Sequence, residues 1–428
     1  MSSRQKSHRS KRIREVIHAK KEETVQLLQQ LVQADSTQGN EAAAQQIIIK
    51  TLELMKLDVD VWEPNGFELS QHPYFASSKS DFTGSPNVVG LLKGKGGGKS
   101  IILNGHIDVV PAGDLMQWTD HPYSGRIENG KMYGRGVTDM KGGNVALLLA
   151  MQAIQDLGIS LKGDVLFQSV IEEESGGTGT LATLTRGYTA DAAIIPEPTN
   201  MKFFPKQQGS MWFKVHVKGR AAHGGTRYEG VSAIEKSLLV VDHIRELETG
   251  RNKRIIDPLY KTIPIPVPIN IGKISGGEWP SSVADLVTME GRFGVAPEES
   301  LEEAKAEMKE WLKRLPEKDD WFIEHPVSLE WFGARWLPGS LEVEHELMQL
   351  LTKQFENVTG SSPIVEASPW GTDGGLLSNI GNIPCVVFGP GVTAKAHFPN
   401  EYIELEQIFI CAKVIAETVI AWCGVDKD

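Results

Sequence analysis

Apolar positions in the first part of the chain recur at helical spacing. Between Ile13 and about Val32, the side chains of Val16, Val25, Leu27, Leu28 and Leu31 can share one face, which predicts an amphipathic helix. A second helix is predicted from about Glu41 to Met55. The pattern then turns to short apolar runs, Asn87 to Leu92, Ser100 to Asn104, Asp164 to Val170 and Ala192 to Ile195. Glycine-rich turns and a helical stretch from Gly143 to about Leu157 separate them. Strands alternating with helices predict an α/β fold, a mixed and mostly parallel sheet with helices on both faces.

Near Gly209 the pattern changes. Alternating Trp212, Val215 and Val217, a helix from about Val231 to Leu247, a strand from Val283 to Phe293 and a helix from Ser300 to Leu315 read as a small α+β insert. The run Ile263 to Pro268 has proline at every second position, and each proline lacks the ladder donor. It is therefore an extended edge or a connector. Helical patterning from about Glu342 to Phe355, an apolar strand at Cys385 to Phe388 and a last helix from about Leu405 to Trp422 resume the first pattern. A chain of 428 residues exceeds one typical core. The expected division is a discontinuous domain of residues 1–208 and 331–428, interrupted by an inserted domain of residues 209–330.

Composition narrows the partners. A formal net charge of −11 is wrong for a general nucleic-acid binder, which needs a basic face to displace phosphate counterions. The basic head, with Arg4, Lys6, Arg9, Lys11, Arg12 and Arg14, is soon interrupted by Glu15, Glu22 and Glu23 and reads as the start of a solvated helix. No run approaches the roughly 20 apolar residues of a membrane span, and no apolar signal region follows the first charges. Cys385, Cys411 and Cys423 form no C-x-x-C pair, which fits buried thiols in a reducing compartment. A cytoplasmic location is expected, without membrane or nucleic-acid partners.

The residues able to do chemistry fall just past the predicted strand ends, where open α/β sheets bind ligands. His106-Ile107-Asp108 follows one strand, Glu172-Glu173-Glu174-Ser175-Gly176-Gly177 another, and Glu197-Pro198-Thr199 a third. Asp139 sits in a glycine-rich loop, Gly134 to Gly143, where it can bridge two cations with its two oxygens or cap the following helix. His397 lies far downstream. Three consecutive glutamates repel one another unless cations or protons offset them. Imidazoles mixed with carboxylates suit borderline divalent cations such as zinc or cobalt and carry too much nitrogen for magnesium or calcium. A glutamate left free of ligation can shuttle a proton from an activated water to a leaving amine.

Two other motifs are decoys. Gly94 to Ser100 looks like a phosphate loop, but Lys93 occupies the required first glycine position and a strand follows instead of a helix, so a hairpin turn is expected. No G-x-S-x-G elbow marks a serine hydrolase.

Taken in order, these islands resemble the M20 metallopeptidase family, in particular its acetylornithine deacetylase and succinyl-diaminopimelate desuccinylase branch. The resemblance covers nearly the whole chain and implies a zinc exopeptidase-like catalytic domain with an inserted lid and dimerisation domain. By position it implies two divalent metal ions, zinc in the first place with cobalt as the alternative. His106, Asp139 and Glu197 would hold one, and Asp139, Glu174 and His397 the other. It further implies Glu173 as general base and Asp108 as the residue that orients His106. The family pattern Asp-Glu-Glu-x-Gly carries Glu172 here in place of its aspartate.

In the insert, Ala221-Ala222-His223-Gly224-Gly225 matches the motif whose histidine stabilises the oxyanion in the active site of the partner subunit. Asn270 and Arg292 match positions implicated in binding a substrate carboxylate, which a guanidinium can grip with two parallel hydrogen bonds. Trp279 to Ala284 departs from the commoner pattern, and Gly371-Thr372-Asp373-Gly374-Gly375 resembles a substrate-approaching loop. The expectation is a homodimeric deacylase of an N-acyl amino acid, N-acetylornithine-like. A carboxypeptidase or dipeptidase acting on short peptides, and a binding protein on a degenerate scaffold, are the alternatives.

Overall fold

The computed structural model describes residues 3–426, and the chain divides into two compact units. The first comprises residues 1–205, 340–366 and 376–428, and the second residues 206–339 and 367–375.

The first unit is built on a sheet whose strand order, from one edge, is Asp58–Trp62, Asn87–Leu92, Val165–Val170, Ile101–His106, Ala193–Ile195, Cys385–Val387 and Phe203–Gln207. The four strands from Val165–Val170 to Cys385–Val387 run parallel, and antiparallel pairs flank them. Burial on both faces explains why Ile101–His106 and Val165–Val170 read as unbroken apolar runs, since every residue in both is buried. Helices Gly142–Asp156 and Leu405–Cys423 pack on each other, with Leu147, Met151, Ile415 and Val419 in the common core.

Two local expectations are corrected. The helix predicted from Ile13 to Val32 is two, Ser3–Ala19 and Lys21–Gln33, broken at Lys20. The first packs Ile13 and Ile17 into the core and meets the C-terminal helix, whereas the second turns Leu28, Leu31 and Val32 inward. The side chains of Arg4 and Lys6 lie outside the described residues. Nor is Gly94 to Ser100 a hairpin turn. The strands it joins are not neighbours, because Val165–Val170 lies between them, and the loop instead bonds across to the carbonyls of Leu161 and Lys162.

In the second unit a four-stranded antiparallel sheet, ordered Ile269–Gly276, Leu286–Val295, Gly209–Lys218 and Ser328–Trp336, carries helices Ala233–Lys253 and Leu301–Leu312. The first helix is capped by Ser232 and the second by a reciprocal Ser300–Glu303 box. The proline run 263–268 forms no strand and leads directly into the edge strand at Ile269. No described helix is long and apolar enough to cross a membrane.

A buried lysine ties the N-terminal helices to the loop that carries Asp139. Lys141, fully buried, donates from Nζ to the carbonyls of Leu31 (2.8 Å) and Ala34 (3.0 Å) at the end of the second helix. Burial pushes its ammonium down to about 7, although Glu401, Asp35 and Asp108 pull the other way. The unfolded chain keeps this proton to about pH 10.4, so between pH 7 and 10 it holds more protons than the native state and stability rises with pH. Denaturant unfolding of wild type and Lys141→Met from pH 7 to 9 should differ in slope by up to about 1.4 kcal/mol per pH unit, the wild type rising more steeply. Parallel slopes would contradict a neutral Lys141.

Candidate metal centre

His106 closes its strand and is buried, so the ring leaves the sheet at the carboxyl end. Its Nδ1 lies 2.8 Å from the main-chain carbonyl of Asp108. A carbonyl can only accept, so Nδ1 carries a proton and Nε2 is the nitrogen left to face the carboxylates. That Nε2 faces Asp139 Oδ1 at 3.2 Å and Glu197 Oε1 at 3.8 Å. The start of the helix at Gly142 seats both strand ends. Asn144 donates to the His106 carbonyl at 2.6 Å, and a Cβ at Gly143 would stand 2.1 Å from the carbonyl oxygen of Pro196, next to Glu197.

Asp139 is the shared member. Its other oxygen, Oδ2, lies 3.3 Å from Nε2 of His397, and that same Nε2 lies 3.1 Å from Glu174 Oε1. The three glutamates separate because a tight turn at Glu173–Ser175 follows Glu172, which has a left-handed backbone at φ 62°. Glu172 turns to Gln38, Ser77 and Ser175, at 2.8 to 2.9 Å. Glu173 instead offers an oxygen within 4.8 Å of donor atoms on His106 and Glu197, and Glu174 does the same with His106 and Asp139.

Asp108 sits differently from expectation. Its carboxylate oxygen is 3.7 Å from His106 Nδ1, beyond a hydrogen bond, and the main-chain carbonyl orients the ring. The carboxylate accepts from the backbone N–H groups of Glu173 (3.2 Å) and Glu174 (3.1 Å). One residue thus fixes both the imidazole and the glutamate turn.

The protonation balance shows what the cluster lacks. Burial disfavours the charge on His397, yet Glu174 and Asp139 lift it to about 11. Burial, with Asp139 and Glu174 nearby, raises Glu197 to about 8 against the pull of His106. Asp139 is held low despite burial, because both histidines bond to it. Asp139, Glu173, Glu174 and Glu197 are four carboxylates against two imidazoles, so even full protonation of both rings leaves a deficit of positive charge. Two divalent cations would remove that deficit, and the nitrogen and oxygen donors suit zinc or cobalt.

Sequence reading missed the support behind these candidate ligands. Glu401 accepts from the N–H groups of Thr138 (2.9 Å) and Asp139 (3.2 Å) and pairs with Arg135 at 2.6 Å. Both are buried, and Glu401 is 266 residues from Arg135, too far for any spacing rule to connect them. In the second unit, His223 is exposed and its Nδ1 accepts from Gly225 N–H at 3.1 Å, which leaves the proton on Nε2. Arg292 pairs with Asn270 and Trp212 across the sheet register. Its guanidinium has no ion-pair or hydrogen-bond partner among the described residues, and burial alone lowers it to about 10.

The description of peptidase family M20/M25/M40 matches residues 102–421. The chain belongs to this family. Among relatives of the M20 enzyme, an N-formyl-4-amino-5-aminomethyl-2-methylpyrimidine deformylase of Halalkalibacterium halodurans is 33% identical, covering 95% of this chain and 96% of its own. A probable succinyl-diaminopimelate desuccinylase of Staphylococcus epidermidis is 28% identical over 72% of this chain and 79% of its own. The dipeptidase Dug1p of Saccharomyces cerevisiae shares the fold, with a TM-score of 0.74 at 14% identity over 97% of this chain and 98% of its own. The protein is thus an M20 amidohydrolase with a mainly parallel α/β core and a candidate dinuclear metal site.

Asp108→Asn keeps the main-chain carbonyl behind His106 but leaves only one acceptor for two backbone N–H groups. Steady-state kinetics on this M20 enzyme at saturating metal should show kcat reduced about 10- to 100-fold with KM little changed. A wild-type kcat would remove Asp108 from the positioning of the glutamates.

Proposed function

We propose that this M20 enzyme hydrolyses the linear amide of a small N-acylated amine, with a formylated aminomethylpyrimidine as first substrate. The observation that carries the substrate is the likeness to the Halalkalibacterium halodurans deformylase, which extends over 95% of the chain. In this reading His106, Asp139 and Glu197 hold one divalent cation and Asp139, Glu174 and His397 the other, zinc or cobalt. When bound, the cations polarise the amide carbonyl and acidify water toward neutral pH.

The chain's own groups do the rest. Glu173 takes a proton from the attacking water and delivers it to the amide nitrogen, so the C–N bond breaks to give a free amine and a carboxylic acid. Nε2–H of His223 donates to the developing oxyanion, a role supported by the bond that Gly225 makes to Nδ1. The enzyme works as a cytoplasmic homodimer in which His223 serves the partner's site. Three buried free cysteines fit that compartment.

A second reading has its own support. The unpaired guanidinium of Arg292, next to Asn270 in the register, suits a substrate carboxylate and favours an N-acyl amino acid such as N-acetylornithine. Assays of the metal-loaded enzyme on the formylaminopyrimidine, N-formyl, N-acetyl and N-succinyl amino acids and dipeptides separate the readings. Preference for the formylaminopyrimidine, unaffected by Arg292→Ala, supports the first. A carboxylated substrate whose KM rises at least about tenfold in Arg292→Ala supports the second, as expected for a lost charge-assisted bond.

Glu173→Gln should retain metal and lose about 10²–10⁴-fold in kcat. A loss of less than about tenfold would remove Glu173 from proton transfer. Mixed and reassembled His223→Ala and Glu173→Ala subunits should regain activity, because one site of each heterodimer would then be intact. Verified heterodimers that stay inactive would show that His223 does not act across subunits.

A further inference from the structure

Asp139 and His397 lie on loops 258 residues apart in sequence, yet Asp139 Oδ2 and His397 Nε2 stand 3.3 Å apart. Neither loop is regular. Asp139 has non-helical backbone angles within its turn, and His397 has a left-handed backbone at φ 63°, a conformation costing of order 1–3 kcal/mol for a residue with a side chain. Something must hold both loops in register.

Glu401 and Arg135 reach both. One carboxylate oxygen of Glu401 accepts from the backbone N–H groups of Thr138 and Asp139 at 2.9 and 3.2 Å, fixing the first loop. The other accepts from Arg135 Nη1 at 2.6 Å. The same guanidinium points Nη2 at the carbonyl of His397 and Nη1 at that of Phe398, each at 3.4 Å, and so grips the second loop. Both side chains are removed from water, 3% and 0% exposed. An amide could not replace the carboxylate, since its NH₂ would face either the arginine or the two backbone donors.

We propose that Glu401 and Arg135 are positioning residues that set the spacing between Asp139 and His397, and with it the affinity for the cation those two share with Glu174. The inference rests on the reading of these residues as metal ligands. It predicts unequal damage, because the cation held by His106, Asp139 and Glu197 keeps His106 and Glu197 on strand ends outside the clamp.

The test is a Zn²⁺ titration of full-length protein against a chromophoric chelator, with visible absorption of the Co²⁺-loaded form as a second signal. Wild type should bind two equivalents. Glu401→Gln should bind one with wild-type affinity and one about 10- to 100-fold more weakly, with an altered Co²⁺ spectrum for the weakened equivalent. Arg135→Lys, which keeps the charge but loses the fork, should weaken the same equivalent, and it decides the matter if Glu401→Gln does not fold. Glu417→Gln is the control, because Glu417 is also buried but pairs with Arg9 and Ser10. It should lower thermal stability and leave both affinities unchanged. Wild-type affinities at both sites in a folded Glu401→Gln or Arg135→Lys protein would overturn the proposal while leaving the metal reading intact. A wild-type protein that binds no metal would overturn both.

Discussion

Gathering four carboxylates around the carboxyl ends of parallel strands, three just past strand ends and Asp139 from the loop before a helix, is unfavourable until positive charge is placed among them, and much of the first unit serves to hold that arrangement. The strands bring His106, the glutamate turn and Glu197 to the carboxyl-end side of the sheet. The helix that starts at Gly142 presses against two of those strand ends, and Asp139 lies just before it. The glutamate turn and the Asp139 loop are each anchored by main-chain bonds to a buried carboxylate, Asp108 on one side and Glu401 on the other. The acidic side chains are thereby kept from relaxing away from one another, which is what repulsion alone would favour. Held together, they are a standing demand for cations.

The α/β class and the convergence of the metal-type residues were legible because both follow from short-range patterns. Apolar runs marked the buried strands, and a polar residue directly after such a run has to emerge at the strand end. The helix break at Lys20 was not legible, because the apolar face continues through it and the two helices differ only in what they meet beyond the shared helix Gly142–Asp156. The Gly94 to Ser100 loop was misread for a related reason: adjacency in sequence suggested adjacency in the sheet, and the Val165–Val170 strand comes between. At Asp108 the atom within hydrogen-bond reach of His106 is the main-chain carbonyl, and no residue-level pattern distinguishes main chain from side chain. The pairing of Glu401 with Arg135 was not legible. Arg135 lies in the glycine-rich loop of Asp139, but Glu401 belongs to no motif, and their partnership spans 266 residues.

Substrate selection depends on a different physical balance. A candidate metal site of this kind does not by itself distinguish one linear amide from another, so discrimination has to come from groups that touch the rest of the molecule. Arg292 is the informative one in the second unit. It is a half-buried guanidinium with no ion-pair or hydrogen-bond partner among the described residues, and burial lowers it to about 10. A neutral pyrimidine would not pair with it as an anionic ligand would. The chemistry of amide cleavage is therefore better defined by this fold than the identity of the amine it releases.

The clamp between Arg135 and Glu401 also imposes an order of assembly. A chain emerging from the ribosome presents His106, Asp139 and the glutamate turn while more than half of its length is still unmade, and domains tend to fold as they emerge. The second unit is synthesised next, before the segment that carries His397. The early acidic residues must therefore wait, without their arginine-bridged partner, for the last tenth of the chain. The nascent protein spends that interval as a half-assembled cluster of carboxylates, and the contact between its two distant segments is the step that completes it.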